Sequence, residues 1–244
     1  MRYQFIDCRW ELGRPERGRQ LYLAGHIPGA SFLDVESELS APPAQPGGRH
    51  PLPAAEHFAR AAGAAGIGPD VFVVVYDQGM TGGAARLWWL LRHFGHEDVA
   101  VLGGGIGAWK GPLSSGDEAV EAREFGPMLR NDDTIAADEI AARLGDSSLT
   151  IIDARLPERY RGEVEPIDPV AGHIPGAVNL PYDQFGAGVA EDLLHDEEVV
   201  VYCGSGITAC VDALALTLAG RDDVKLYPGS WSDWCARGLP VETG

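Results

Sequence analysis

No run of apolar residues in this 244-residue chain is long enough to cross a bilayer. The start, MRYQFID over Met1–Asp7, lacks the hydrophobic region of a signal peptide. Cations are scarce as well. Lys and Arg number 19 against 36 Asp and Glu, giving a formal net charge of −17 and a pI near 4.7. That balance argues against nucleic acid or an anionic membrane as a partner. The four cysteines, Cys8, Cys203, Cys210 and Cys235, form no C-x-x-C pair and no Cys/His cluster at zinc spacing, so they suit a reducing cytoplasm. What is present is an ordinary globular composition, 45% hydrophobic and 23% charged, with chain enough for one large domain or two modest ones. An acidic protein that binds a small anion must also build a local positive patch.

The chain repeats itself. Ala24-Gly25-His26-Ile27-Pro28-Gly29-Ala30 recurs letter for letter as Ala171-Gly172-His173-Ile174-Pro175-Gly176-Ala177. Ile6-Asp7-Cys8-Arg9 answers to Ile152-Asp153-Ala154-Arg155, and Val73–Asp77 to Val199–Cys203. Gly103–Trp109 matches Gly229–Trp234. Matches in one order at such separation mean two copies of a single domain. The offset shrinks along the chain, so the second copy is about 20 residues shorter in its middle.

Each copy alternates apolar, β-branched runs with helical stretches, which predicts two tandem α/β domains, each a small parallel sheet flanked by helices. In the first (1–113), strands are expected at Gln4–Cys8, Val71–Asp77 and Val99–Leu102. Helices are expected at Ala54–Ala65 and Ala84–Phe94, with a short one around Trp109 and a Pro- and Gly-rich loop at Ala41–Pro53. Residues 114–133 are polar and acidic and read as a linker. In the second (134–244), helix Ala137–Leu144 precedes strand Leu149–Ala154, a helix with no counterpart ahead of the first copy's opening strand. A polar stretch (Arg155–Asp168), the His173 turn and a short connection lead to strand Glu198–Tyr202. Helix Cys210–Ala219 (stopped at Gly220), strand Val224–Tyr227 and helix Ser230–Arg237 follow.

Cys203 stands where a buried strand ends and a tight loop, Gly204-Ser205-Gly206-Ile207-Thr208-Ala209, leads into a helix. Ligands of open α/β sheets bind at this end of a strand. The two glycines let successive N–H groups curl inward, and the helix end adds a positive dipole, a setting that activates a thiol without a side-chain cation. A lone cysteine after a strand is otherwise a small buried hydrophobe, the reading kept for Cys210. The first copy has Asp77 at the matching position, so one half is live and the other is scaffold. A cysteine phosphatase would need an arginine six residues on, where this chain has Ala209, and phosphoryl chemistry is thereby disfavoured.

On these motifs the chain resembles the two-domain rhodanese-type sulfurtransferases over essentially its whole length. It is most similar to the 3-mercaptopyruvate sulfurtransferase branch, whose loop reads CGSGVTA against CGSGITA here. The thiosulfate branch carries CRKGVTA, with two cations in the loop. The resemblance implies that Cys203 takes sulfur from 3-mercaptopyruvate as a persulfide and passes it to a thiol, a thioredoxin-like protein or cyanide, with no metal or organic cofactor. It also implies that Ser205 and Thr208, with the loop amides, hold the persulfide. Arg159 matches the family's substrate-clamping arginine, and Arg155 and Arg161 are available to fill out the positive patch. The second clamping arginine of the branch would fall on Asp168, a departure. His26 matches by position a histidine that relays to the loop serine, but His173 in the other copy speaks for a shared structural turn. Trp88, Trp89, Trp109, Trp231 and Trp234 are expected in the core or at a domain interface rather than as substrate platforms. Two other readings stay open: a thiosulfate:cyanide sulfurtransferase, and a non-catalytic interaction or sulfur-sensing module.

Overall fold

The computed structural model describes residues 2–185 and 191–244, so the connection ahead of the Cys203 strand lies partly outside the described residues. The chain divides into two units, one of residues 1–41 with 52–130, the other of residues 42–51 with 131–244.

The first unit is built on β1 (Arg2–Asp7), β2 (Ser31–Phe32), β3 (Val71–Tyr76) and β4 (Val99–Val101), all parallel in the order β2-β1-β3-β4. β3 is VFVVVY, with Val71, Val73, Val75 and Tyr76 buried, as expected of a central parallel strand covered on both faces. Helices α1 (Arg17–Ala24), α2 (Ala55–Ala64), α3 (Gly83–His93) and α4 (Gly105–Ala108) complete it. The sequence reading did not anticipate α1. It buries only Gly18 and Tyr22, so no apolar stripe marks it. Residues 114–130, read as linker, are strapped to this unit instead. Ser114 pairs with His26 through both backbone bonds, Arg123 N–H donates to Gly63 O, and Met128 and Arg130 N–H donate to Phe94 O and His93 O.

The second unit repeats the topology. β5 (Leu149–Asp153), β6 (Val178–Asn179), β7 (Glu198–Tyr202) and β8 (Lys225–Leu226) are parallel in the order β6-β5-β7-β8. The helices are α5 (Ala137–Ala142), α6 (Pro157–Tyr160), α7 (Ala209–Leu218) and α8 (Ser230–Ala236). α8 sends Trp231 and Trp234, both fully buried, into a core with Ile140, Ile151, Val200 and Tyr202. Each indole N–H is satisfied, by Val170 O at 2.9 Å and by Pro240 O at 2.7 Å. Trp88 and Trp89 are likewise buried, whereas Trp109 is half-buried against Phe5.

The duplication extends to individual bonds. Arg9 Nε donates to Asp7 at 3.0 Å and its Nη2 to Gly25 O at 2.6 Å; Arg155 Nε donates to Asp153 at 3.0 Å and its Nη2 to Gly172 O at 2.6 Å. Tyr76 OH accepts the N–H of Ile27 and Tyr202 OH that of Ile174, at 3.2 and 3.1 Å. Arg155 also lies over the Trp231 ring at 4.5 Å and is almost wholly buried. It is therefore a structural ion pair under the HIPG turn and not part of an exposed positive patch, a correction to the sequence expectation. Among the described residues no helix is long and apolar enough to cross a membrane, and no cluster of three His, Cys, Asp or Glu could hold a metal.

Candidate active site around Cys203

β7 delivers Cys203 to the carboxyl end of the second sheet, and the turn to α7 bends the chain around its sulfur. The N–H of Gly206 donates to Cys203 Sγ at 3.1 Å. Gly206 has φ +83°, and a β-carbon there would lie 2.5 Å from Pro228 O, so only glycine fits. The loop carbonyls are drawn away from the sulfur by α8: Trp231 and Ser232 N–H donate to Cys203 O and Gly204 O at 2.9 and 3.0 Å. Ser230 Oγ accepts the Cys203 N–H at 3.1 Å. With its carbonyls so anchored, the loop turns the Gly206 N–H onto the sulfur. Cys203 is 2% exposed and Ser205 7%. Ile207 and Ala209 are buried, and Thr208 immediately precedes α7 without a capping bond from its side chain. All four cysteines are free thiols; burial, more than any neighbour, pushes Cys8 well up and Cys235 up to about 12.

Two residues that the sequence reading passed over complete the site. His50 Nδ1 lies 2.7 Å from Ser205 Oγ, and Arg49 Nη2 donates to Gly204 O at 3.1 Å. Both come from the loop 42–51, which interrupts the first repeat in sequence yet belongs to the second unit. It is fastened there by Gly47 N–H to Asp233 Oδ1 at 2.7 Å and Arg49 N–H to Ser232 Oγ at 3.1 Å. A signal was available. This Pro- and Gly-rich loop falls in the stretch by which the first copy exceeds the second, and an insertion of that kind is a usual carrier of function.

Arg159, on α6, has its guanidinium beside the loop. A methyl group on Gly204 would stand 3.0 Å from Arg49 Nη2 and 3.4 Å from Arg159 Nη1. The cations absent from the loop sequence thus come from elsewhere in the unit: Arg159, and Arg49, which the sequence reading did not name. Glu165 holds Arg159 through Nε at 3.1 Å and Nη2 at 2.7 Å, and takes Arg155 Nη1 at 3.3 Å. Burial, the largest single influence, pushes the Glu165 carboxyl up, but the Arg159 bonds and charge together with the N–H groups of Asp168 and Ile167 outweigh it and leave it below the usual range. Asp168 pairs with Arg49 and lies 3.4 Å from Arg159 Nη2. Burial raises its carboxyl despite both cations. Asp212, buried on α7 with Oδ2 lacking a hydrogen-bond partner, is pushed well up by burial, then by the charges of Cys203 and Asp153.

Two candidates do not join this cluster. Arg161 is exposed and paired with Glu163 at 2.8 Å. His26 is fully buried in the first unit, with Nδ1 2.8 Å from Tyr22 O, Nε2 3.3 Å from Glu118 and its ring stacked on Tyr22 at 4.1 Å. His173 repeats this on Tyr160, at 2.7 Å to the carbonyl and 3.8 Å between rings. The HIPG histidines close turns, and the histidine on the loop serine is His50. In the first unit the matching cradle is filled by its own side chain: Asp77 accepts N–H groups from Gly79, Met80, Thr81 and Ala84 at 2.7–3.3 Å.

The profile of the rhodanese-like domain matches residues 1–112 and again 136–237. The 3-mercaptopyruvate sulfurtransferase of Escherichia coli K12 is 37% identical over 98% of this chain and 92% of its own length. A Mycobacterium tuberculosis protein provisionally named a thiosulfate sulfurtransferase is 41% identical over 94% of this chain and 86% of its own. The crystal structure of an E. coli 3-mercaptopyruvate sulfurtransferase superposes with a TM-score of 0.80 at 36% identity, covering 94% of this chain and 93% of that one. The duplicated parallel sheets, the single cysteine-bearing cradle and these likenesses agree, and the chain belongs to the two-domain rhodanese-type sulfurtransferases.

Proposed function

We propose that this sulfurtransferase draws sulfur from 3-mercaptopyruvate, carries it as a persulfide on Cys203, and yields it to a thiol, a thioredoxin-like protein or cyanide. The observation that carries the reading is the Ser205–His50 hydrogen bond beside a sulfur that already accepts the Gly206 N–H. In the first half-reaction the Cys203 thiolate attacks the donor's sulfur. An S–S bond forms and the donor's C–S bond breaks, its electron pair passing into the carbonyl as an enolate. That enolate takes up at carbon the proton that Cys203 gave up on becoming a thiolate and leaves as pyruvate, while the donor's own thiol proton stays on the outer sulfur of the persulfide. Ser205, oriented by His50, is placed to donate toward the keto oxygen as charge grows there, which is stabilisation where charge develops. Arg159 and Arg49, flanking Gly204, are the groups available for the donor's carboxylate. Thr208 and the α7 N-terminus contribute to holding the persulfide once it gives up its proton.

A thiosulfate donor is the second reading, favoured by the two guanidinium groups at Gly204 and by the name of the mycobacterial relative. The test is mass spectrometry of the Cys203 peptide after each donor, with pyruvate release and thiocyanate formation measured in parallel. One added sulfur atom on Cys203 and faster pyruvate release are expected. A Cys203→Ser variant with full turnover overturns the mechanism.

A further inference from the structure

The loop at Cys203 is served by two cations, and one acid sits on both. Asp168 pairs through Oδ1 with Arg49 Nη1, and its Oδ2 lies 3.4 Å from Arg159 Nη2, with the side chain only 4% exposed. Glu165 is a different kind of partner. It accepts the N–H groups of Ile167 and Asp168 at 3.1 and 3.0 Å and binds Arg155 as well as Arg159, so it is part of the loop's frame. Asp168 has its carboxylate on the two guanidinium groups that face Gly204, the placement an anionic donor would take. Two arginines against two carboxylates leave this cluster formally neutral. Burial raises the Asp168 carboxyl in spite of both cations, so its charge is held there at a cost to folding.

We propose that Asp168 is a specificity-determining residue: by occupying Arg49 and Arg159 it lowers the positive charge offered to the donor, and so favours a singly charged α-keto carboxylate over a compact dianion such as thiosulfate. This rests on the sulfurtransferase reading with 3-mercaptopyruvate as donor. The physical basis is Coulombic. A change of one unit in the site's charge acts twice as strongly in energy on a dianion as on a monoanion, so the dianion's fold-change is the square of the monoanion's.

Steady-state rates on both donors test it with Asp168→Asn, which keeps the size and removes the charge. The ratio of kcat/KM for thiosulfate to that for mercaptopyruvate is expected to rise at least about threefold. Asp168→Glu, which keeps the charge, should leave the ratio within about twofold of the native value. A ratio unchanged or lowered in Asp168→Asn overturns the assignment. Should that variant fail to fold, the native enzyme still decides. Inorganic sulfate and acetate, used as competitive inhibitors, should bind within about threefold of each other, and sulfate binding tenfold tighter overturns the proposal. If the native enzyme turns over neither donor, it is the activity reading that fails. If it turns over both and the ratio does not move, only the role of Asp168 fails.

Discussion

Glu165 shows how one side chain can frame a site without touching its chemistry. It is 3% exposed and braces both Arg155 and Arg159. Glu165→Gln leaves two largely buried guanidinium groups short of a counter-charge and should cost about 3 kcal/mol at neutral pH by urea denaturation. The pH dependence has a definite sign. The folded pKa lies below the ordinary 4.5, so the carboxylate's contribution is complete above that value and is lost as pH falls through the lowered one. The gap between native protein and variant should therefore close in acid. His50→Gln tests a catalytic role instead. With Ser205 left unoriented, kcat on mercaptopyruvate should fall by about 100-fold while the melting temperature stays nearly constant. Equal kcat in the two proteins would remove His50 from the mechanism.

At the scale of elements, the site depends on one strand end and two helix starts. β7 places the sulfur, α7 follows the loop, and α8 holds the loop's carbonyls from behind. The two loop glycines should respond differently to alanine. At Gly206 the positive φ and the backbone oxygen of Pro228 leave no room, so Gly206→Ala should cost about 2 kcal/mol or more and disable sulfur loading of Cys203. At Gly204 the obstruction is the end of a flexible side chain, Arg49 Nη2 at 3.0 Å. Gly204→Ala should keep the native melting temperature and raise the donor KM by about threefold. Thermal melts and donor titrations of the two variants check this contrast. The helices also show where periodicity is a good guide. α3 and α7 bury most of their residues and are plain in the sequence, whereas α1 buries only two and was missed.

For the whole molecule, charge sets the terms of approach. The net −17 repels an anionic donor at long range, while the cluster of Arg49, Arg159, Glu165 and Asp168 is formally neutral and does not counter it. Raising salt from about 10 to 150 mM should therefore raise kcat/KM on mercaptopyruvate by about twofold, because screening removes the long-range term. A steep fall with salt would instead mean that an uncompensated positive site steers the donor. The same accounting explains how a strongly acidic chain serves an anion. It gathers two arginines, distant in sequence, as short-range donors at the turn where the sulfur lies, with their net charge cancelled by Glu165 and Asp168.

The duplicated frame, the parallel sheets, the place of Cys203 at a strand end and the likeness to sulfurtransferases were all legible in the residue order. They rest on local patterns: repeated heptapeptides, β-branched runs, and glycines beside a cysteine at a strand end. The partner of Ser205 was not legible in this way, and nor were the second cation at Gly204 or the placement of Asp168 on both arginines. His50 and Arg49 lie more than 150 residues before the loop they serve. They sit within the first repeat's span yet pack with the second unit, and no periodicity records a contact made across that much chain. Identical HIPG motifs drew attention to His26. Burial and hydrogen bonding, which depend on the folded neighbours, gave the histidine of the site to a loop without a repeat.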